Sequence, residues 1–448
     1  MPNELLAPSS FPMVRGFSVA LVTATLLCAS APAAKDKAKN RDTSGPRLTA
    51  ELQGSIATRD GLRLHLTTDL GNVVIRTRNS GKVDYHVHLE TDASQKDAKL
   101  LLSKFTVSGT EASDGVLIRG QGSRRQCSGR LWVTFEVNLP RNYSLDVSTG
   151  GGNIETEDIN GRVSLTTSGG NLLAGNIGAP AHLETDGGHI VVKNVAGELV
   201  ATTGGGHITT GAIAGNASLH TGGGHIRVAS VGGVAHLDTA GGNVTVEHSG
   251  TELAAQTGGG QIQVGEAAGL VRARTGGGGI RVVRVSGPTN LETGGGSIYL
   301  TQVDGAVKAS TGAGGITAWL GTPTGRGGCE FQSADGDIVV YLPRHLAVTI
   351  DAQIQQGEER GFIVDPAFPL KISYDGAPGG MRTVRAEGAL NGGGEVLRLR
   401  TVTGNIRVMM SDTSKQIQIY KEQMQQLQKN LETQVRKIVE ESTKEDQP

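Results

Sequence analysis

One column of a repeated sequence carries side chains that could bind a metal ion. It consists of Asn153, Asn171, His189, His207, His225, Asn243, Gln261, Gly279, Ser297 and Gly315, spaced 18 residues apart. Stacked coils would hold the three histidines about 4.8 Å apart, where neighbouring imidazoles could share a Zn²⁺ or Cu²⁺ ion. The alternative is a polar ladder at a corner, and the exchange of His with Asn, Gln and Gly favours it. We therefore expect no metal and no cofactor, and we expect the crowded histidines to resist joint protonation.

A second candidate site is a group of arginines on two adjacent repeats. It consists of Arg272, Arg274, Arg281 and Arg284. Guanidinium groups bind carboxylates and phosphates, so this group could contact an acidic glycan or lipopolysaccharide. A solvated charged face is the alternative interpretation.

The sequence contains few residues typical of an enzyme. Phosphate-binding loops, HExxH and GxSxG motifs are absent. Aromatic residues make up 3% of the chain and the net charge is −1, which gives no general attraction to nucleic acid. We predict that the protein is not an enzyme. If a site is concealed, we expect it in residues 321–332, the longest departure from the repeat.

The elements that would position these residues are set by a strict 18-residue period. Ten copies of Thr-x-Gly-Gly-polar-aliphatic begin at Thr149, Thr167, Thr185, Thr203, Thr221, Thr239, Thr257, Thr275, Thr293 and Thr311. A fixed period of this length indicates a solenoid in which each repeat is one coil. We predict an all-β fold: a parallel β-solenoid (β-helix) of 18-residue coils, flanking β capping domains and a C-terminal amphipathic helix.

Each position of the coil has an expected role, numbered from the threonine as position 1. Aliphatic residues at position 6, and most residues at positions 8 and 11, are expected to face the core. At positions 15 and 17 a large residue is paired with a small one, which predicts a core of constant volume. The threonine shares the parity of positions 15 and 17, which predicts an inward ladder of hydroxyl groups. Position 4 is always Gly and position 3 nearly always, with Ala313 as the exception. These glycines predict corners that need a positive φ.

Composition shifts divide the rest of the chain. We predict a signal peptide at 1–33, a linker at 34–50, an N-terminal β domain at 51–148, the solenoid at 149–320, a C-terminal β domain at 321–411, and a helix with its tail at 412–448. The signal rests on a basic start, an apolar run and the Ala31-Pro32-Ala33 cleavage site. After cleavage two cysteines, Cys127 and Cys329, flank the ten coils. Those coils span roughly 48 Å, so we favour two thiols or pairing between chains.

The C-terminal segment has a different character from the repeats. Between Ser414 and Glu441 there is no Gly or Pro, and apolar residues recur at helical spacing: Ile417, Tyr420, Met424, Leu427, Leu431 and Ile438. This pattern predicts an amphipathic helix with a short seam. The helix could lie on its own β domain or join copies into a homo-oligomer.

The repeated phrase resembles one known family. Thr-x-Gly-Gly-[Asn/His]-Ile, the Leu139-Pro140 lead-in and the closing Gly392-Gly393-Gly394 and Thr403-Gly404-Asn405-Ile406 look like the putative-adhesin β-strand-repeat family, a domain of unknown function in bacterial envelope proteins. The resemblance covers roughly residues 60–410. It implies a glycine-rich solenoid and supplies no catalytic residues.

These observations predict an exported, non-enzymatic β-solenoid that acts as an adhesin-like or scaffolding protein of the bacterial cell envelope. The expected partner is a cell-surface glycan or protein, with no nucleic acid and no transmembrane span after signal cleavage. The expected location is the periplasm, the outer-membrane surface or the extracellular space. The alternatives are a carbohydrate-active β-helix enzyme and a self-assembling envelope filament.

Overall fold

The computed structural model describes residues 47–122, 129–321, 327–356, 364–366, 368, 370–376 and 382–411, with six residues between 418 and 433. The predicted signal peptide, Cys127 and the apolar seam of the predicted helix lie outside these residues. Cys329 is a free thiol whose pKa is raised by burial. The strand prediction is confirmed, because almost all of the regular secondary-structure elements in the described residues are β-strands.

The N-terminal part contains seven strands and a helix. They are β1 (Leu48–Ala57), β2 (Arg63–Thr68), β3 (Asn72–Thr77), β4 (Lys82–Thr91), α1 (Gln95–Lys104), β5 (Thr106–Ala112), β6 (Gly115–Gln121) and β7 (Leu131–Leu139). The helix was not predicted from the sequence. Its local signal is Ser94, whose hydroxyl accepts a hydrogen bond from the backbone N–H of Asp97 and so caps the first turn.

The ten repeats each contribute two short strands. They are β8 (Ser144–Thr149), β9 (Ile154–Thr156), β10 (Val163–Thr167), β11 (Leu172–Ile177), β12 (Ala181–Thr185), β13 (Ile190–Val195), β14 (Leu199–Thr203), β15 (Ile208–Ile213), β16 (Ala217–Thr221), β17 (Ile226–Val231), β18 (Val234–Thr239), β19 (Val244–Ser249), β20 (Glu252–Thr257), β21 (Ile262–Ala267), β22 (Leu270–Thr275), β23 (Ile280–Val285), β24 (Thr289–Thr293), β25 (Ile298–Val303), β26 (Val307–Thr311) and β27 (Ile316–Leu320).

The C-terminal part continues this arrangement and then departs from it. Its strands are β28 (Cys329–Asp335), β29 (Ile338–Leu342), β30 (Val348–Gln356), β31 (Val364–Pro366), β32 (Lys371–Asp375), β33 (Arg382–Leu390), β34 (Val396–Thr403) and β35 (Ile406–Met410).

Two sheets enclose the core of the solenoid. Strands that end on a repeat threonine form one sheet, the threonine sheet, and strands that begin on the position-6 aliphatic form the other, the aliphatic sheet. Neighbouring strands are parallel and offset by one repeat, as in the pairing of Thr203 with Thr221 and of Ile208 with Ile226. The predicted parallel solenoid with 18-residue coils is therefore confirmed.

The core is filled as the repeat predicts. Position-6 residues such as Ile208 and Ile226 are fully buried, as are residues at positions 15 and 17. In one coil Leu199 precedes Ala201, and in the next Ala217 precedes Leu219. Because the large residue changes place from coil to coil while the total volume is kept, the interior stays close-packed.

The repeat threonines join successive coils. The hydroxyl of Thr221 donates to the carbonyl of Gly206 in the preceding coil, at 2.8 Å, and accepts from the N–H of Gly224, at 3.1 Å. The same pair of bonds recurs from Thr167 to Thr293. The threonines are buried, and each hydroxyl satisfies two backbone groups at the corner, which confirms the inward ladder.

The reason predicted for the glycines is wrong at most coils. At position 4 only Gly152 has a φ in the left-handed region, 130°. A Cβ added at Gly206 would instead lie 1.9 Å from the carbonyl oxygen of Gly188, and the other position-4 glycines meet the coil before them in the same way. Close approach of the backbones therefore requires glycine there. At position 3, a Cβ on Gly205 would meet nothing within 4 Å.

The parallel ladder extends beyond the ten repeats at both ends. Strand β2 pairs with β8 and β6, and β3 pairs with β9 and β7, all parallel. On the other side β28 pairs with β26 and β34, and β34 with β30. The parallel pairing therefore continues past residues 148 and 320, where the sequence repeat begins and ends. Antiparallel strands lie outside these coils, in the pairs β1–β4, β4–β7, β5–β6, β30–β33 and β32–β33.

Candidate functional site

The histidine column is assembled as the repeat predicts. The rings of His189 and His207 stack with centroids 4.9 Å apart, and those of His207 and His225 with centroids 4.8 Å apart. The residues begin the turn from the glycine corner into the aliphatic sheet, so the separation of the strands sets the separation of the rings.

Hydrogen bonds explain why His and Asn exchange in this column. The backbone N–H of His207 donates to Nδ1 of His189, and that of His225 donates to Nδ1 of His207. Asn171 and Asn243 offer Oδ1 to the next coil in the same way, at 2.7 and 2.9 Å. Both side chains place an acceptor at one point in space, so the column is a ladder that satisfies corner N–H groups.

This geometry opposes metal binding by the three histidines. Because Nδ1 accepts a backbone N–H, it has no lone pair left for a metal, and the neutral ring carries its proton on Nε2. Burial lowers the pKa of His207 to about 4, with further contributions from the charges of His189, His225 and Arg227. Within the described residues no group of three or more His, Cys, Asp or Glu side chains could hold a metal ion.

The four arginines are not brought together. Arg272 and Arg274 lie on β22 in the threonine sheet, whereas Arg281 and Arg284 lie on β23 in the aliphatic sheet. Arg272 pairs with Glu252, and Arg274 with Glu292 at 3.1 Å. On the other sheet Arg284 lies 3.8 Å from Asp304, and Arg281 stacks over the ring of Tyr299. The four arginines lie on adjacent repeats of the sequence, but the glycine corner between the two pairs turns the chain from one sheet to the other.

The outer face of the threonine sheet carries ion pairs between neighbouring coils. His220 contacts Asp238 at 3.1 Å, and Lys308 contacts Glu330 at 3.5 Å. Beside this face a groove of about 600 Å³ is floored by glycines of position 2, and Arg274 and Glu292 line it. Exposed pairs of this kind contribute at most about 1 kcal/mol each, so their charges stay available to a ligand.

A second groove, of about 700 Å³, lies on the aliphatic sheet and contains paired carboxylates. Glu157 accepts hydrogen bonds from the N–H and hydroxyl of Thr77. Asp158 accepts from Asn176 and Arg141, and the bonds from Asn176 lower its pKa. A glycosidase needs one carboxyl with a raised pKa as its acid. The hydrogen bonds to Asp158 instead favour its ionised form, which cannot act as an acid.

One cluster was not found from the sequence. The imidazole of His65 bridges two carboxylates, with Nε2 3.0 Å from Asp114 and Nδ1 3.1 Å from Asp146. The bond to His65 lowers the pKa of Asp114. His65 lies on β2 and Asp146 on β8, and Asp114 immediately precedes β6. The order of these strands in the sheet, β6–β2–β8, does not follow the chain. No spacing in the sequence reveals this arrangement.

Fold and surface together define a class: a two-sheet parallel β-solenoid whose recurrent polar residues serve its own corners. A family model matches residues 63–286, which is half of the chain. The chain belongs to that family, the Toastrack DUF4097 family, whose function is unknown.

Solved structures were also compared with the chain. A putative cell adhesion protein from Clostridium sporogenes is 9% identical and covers 81% of this chain and 99% of its own, with a TM-score of 0.16. A putative adhesin from Parabacteroides distasonis is 13% identical and covers 65% of this chain and 96% of its own, with a TM-score of 0.23.

Two further comparisons gave negative results. Among curated proteins none matches the sequence significantly. In the described part of the chain, no helix has the length and apolar character needed to cross a membrane.

Proposed function

We propose that this protein is an exported, non-enzymatic β-solenoid that acts as an adhesin-like or scaffolding protein of the bacterial cell envelope. One observation carries the proposal. The threonine hydroxyls, the position-4 glycines and the Asn/His column all serve contacts between coils. The side chains left for recognition lie on the outer faces, where the coil repeats a flat surface.

The threonine sheet is the face that fits an acidic partner best. Its positions 16 and 18 place Arg272 and Arg274 on one coil and Lys308 two coils further along, beside the glycine-floored groove. A partner with sulfate, phosphate or carboxylate groups at repeated intervals could replace the weak pairs to glutamate. We propose an acidic cell-surface glycan as the ligand.

The test is binding of the mature chain to an array of acidic and neutral glycans that includes lipopolysaccharide. We expect Arg272→Ala/Arg274→Ala to weaken binding about tenfold or more, as loss of two charged contacts should. The matched control is Arg281→Ala/Arg284→Ala, which removes the same charge from the other sheet. Equal binding by both variants would contradict the choice of face, and no binding to any glycan would contradict the ligand class.

The carbohydrate-active alternative is tested on the same preparation. The mature chain is incubated with the bound glycans, and new reducing ends are measured. Catalysis would appear as product that accumulates with time, and it should then be lost in Glu157→Gln or Asp158→Asn. We expect no product, because both carboxylates of that groove already accept hydrogen bonds from scaffold residues.

The filament alternative is disfavoured by the ends of the stack. Each end carries antiparallel strands outside the parallel ladder. A second copy that stacked there would not continue the parallel register of the coils. Light scattering across a range of concentrations would reveal open-ended growth.

A further inference from the structure

Part of the outer face of the aliphatic sheet is buried. Positions 6 and 8 of each coil point into the core, so position 7 points outward. In β13 the side chains of Lys193 and Asn194, at positions 9 and 10, are both exposed, which shows that these positions face outward too. Side chains at positions 7 and 9 of a bare sheet should therefore be accessible.

Four outward residues are instead nearly inaccessible. The exposed fraction is 2% for Thr301, 3% for Val283, 8% for Arg227 and 3% for Thr209. Tyr299, on the same strand as Thr301, is 41% exposed. The buried residues shift from position 9 on β25 and β23 to position 7 on β17 and β15. They form a diagonal track, and a narrow element crossing the sheet at an angle would cover such a track.

Arg227 shows how complete the cover is. An arginine side chain on a flat sheet reaches solvent easily, because its stem is long and flexible. Here burial lowers the pKa of the guanidinium. The hydroxyl of Thr209 is also buried and has no hydrogen-bond partner among the described residues. Toward β35 the track continues over the stacked rings of Trp319 and Tyr341, whose centroids are 4.6 Å apart.

The chain itself supplies a segment of the right length in the right place. It leaves β35 in this same sheet, where the N–H of Ser411 donates to Leu342 at 2.8 Å. From β35 to β15 the sheet has eight strand spacings, about 38 Å at roughly 4.8 Å each. The predicted helix from Ser414 to Glu441 would be about 42 Å long at 1.5 Å per residue.

The orientation of the described residues in that segment also agrees with a helix that covers the track. The residues described between 418 and 433 are all exposed and fall on one side of a helical projection: Gln418, Glu422, Gln425, Gln426, Lys429 and Thr433. At 3.6 residues per turn, a helix that continued through the neighbouring residues would carry the predicted apolar seam on the opposite side. The described polar residues are thus turned to solvent, and the predicted seam would be turned away from it.

We propose that residues Ser414–Glu441 form an amphipathic helix that packs its apolar seam along this diagonal track of the same chain. The helix runs from β35 back toward β15 and covers the aliphatic sheet. A seam used in this way is not available to join two copies. The inference does not depend on the ligand proposed above, and it leaves the threonine sheet as the open face.

The test measures the accessibility of the track in the full mature chain. Val283→Cys and, separately, Lys193→Cys introduce thiols in the same outward column, and maleimide labelling is followed on the peptide that contains each position. The seam is disrupted by Leu427→Glu/Leu431→Glu. The matched control, Gln425→Glu/Thr433→Glu, adds the same charge to the exposed face.

We expect the thiol at position 283 to react about tenfold or more slowly than that at position 193, because the helix must detach first. The seam variant should abolish this protection and the matched control should keep it. Equal rates at both positions would overturn the proposal, as would protection that the seam variant leaves intact. Light scattering on the same samples separates a second copy from the chain's own helix: protection found only in a dimer would overturn the intramolecular arrangement.

Discussion

At the scale of the residue, the two glycines of each corner have different roles. Gly206 and Gly205 are neighbours in one corner, and neither has a φ in the left-handed region. A Cβ at Gly206 would overlap the carbonyl of Gly188, whereas one at Gly205 would meet open space. Ala313, which replaces glycine at position 3 of its coil, agrees with this distinction.

A pair of single substitutions tests the distinction. We expect Gly206→Ala to destabilise the protein by about 2–3 kcal/mol, because two coils must separate locally. Gly205→Ala should change stability by less than about 0.5 kcal/mol or raise it slightly. The measurement is the midpoint of denaturant unfolding for each variant. Equal losses would contradict the close approach of the two coils as the reason for glycine at position 4.

At the scale of the element, the column of Asn and His side chains at the glycine corners makes the stability of the fold depend on pH. The folded-state pKa of His207 is about 4, below the ordinary value of 6.5. The unfolded chain therefore takes up a proton between these values that the folded chain does not, and stability is lost as the pH falls from about 6.5 toward 4. After allowance for partial exposure, the loss from this residue is roughly 1–2 kcal/mol.

His207→Asn should remove that part of the pH dependence and preserve the ladder, because Asn offers Oδ1 at the same corner in other coils. We expect the melting temperature of the variant to fall less between pH 7 and pH 4.5 than that of the original chain. His236→Asn, on the exposed face of the threonine sheet, is the control and should follow the original chain. An identical fall in both variants would contradict the assignment.

Most of the solenoid could be predicted from the sequence because one coil specifies the next. The 18-residue period fixes which residues pair, and the parity of positions 6, 8, 15 and 17 fixes which face inward. The aliphatic and threonine ladders follow directly from these two facts. The role of the position-4 glycines could not be predicted, since a single repeat does not show how closely the backbone of the neighbouring coil approaches.

Features that depend on unlike strands could not be predicted. The order β6–β2–β8 brings His65 between Asp114 and Asp146. That order arises because the chain leaves its first coil and later returns to place β6 on the outer side of β2. The separation of Arg272 and Arg274 from Arg281 and Arg284 was missed for a different reason. The corner between positions 1 and 6 changes sheets within five residues, so neighbours in sequence can lie on different surfaces.

At the scale of the whole molecule, the stack is close to a one-dimensional array. Each coil contacts the coils before and after it through both sheets, and stability is then nearly a sum over neighbouring pairs. Removing one complete coil should preserve every type of contact. Removing an incomplete coil should not, because a slip of one residue turns inward side chains outward.

Deletion of Gly204–Thr221 removes 18 residues and joins Thr203 to the glycine corner of the following coil. We expect the shortened chain to keep its β-sheet circular dichroism and to melt within about 5 °C of the original, since two coil–coil interfaces are lost and one equivalent interface forms. Deletion of Gly204–His220 removes 17 residues and leaves one extra residue at a corner where the backbones of two coils are in contact. That variant should melt at a clearly lower temperature, or unfold in two steps as the halves of the stack separate. If both deletions melted alike, the coils would not be held in register by the corner contacts described above.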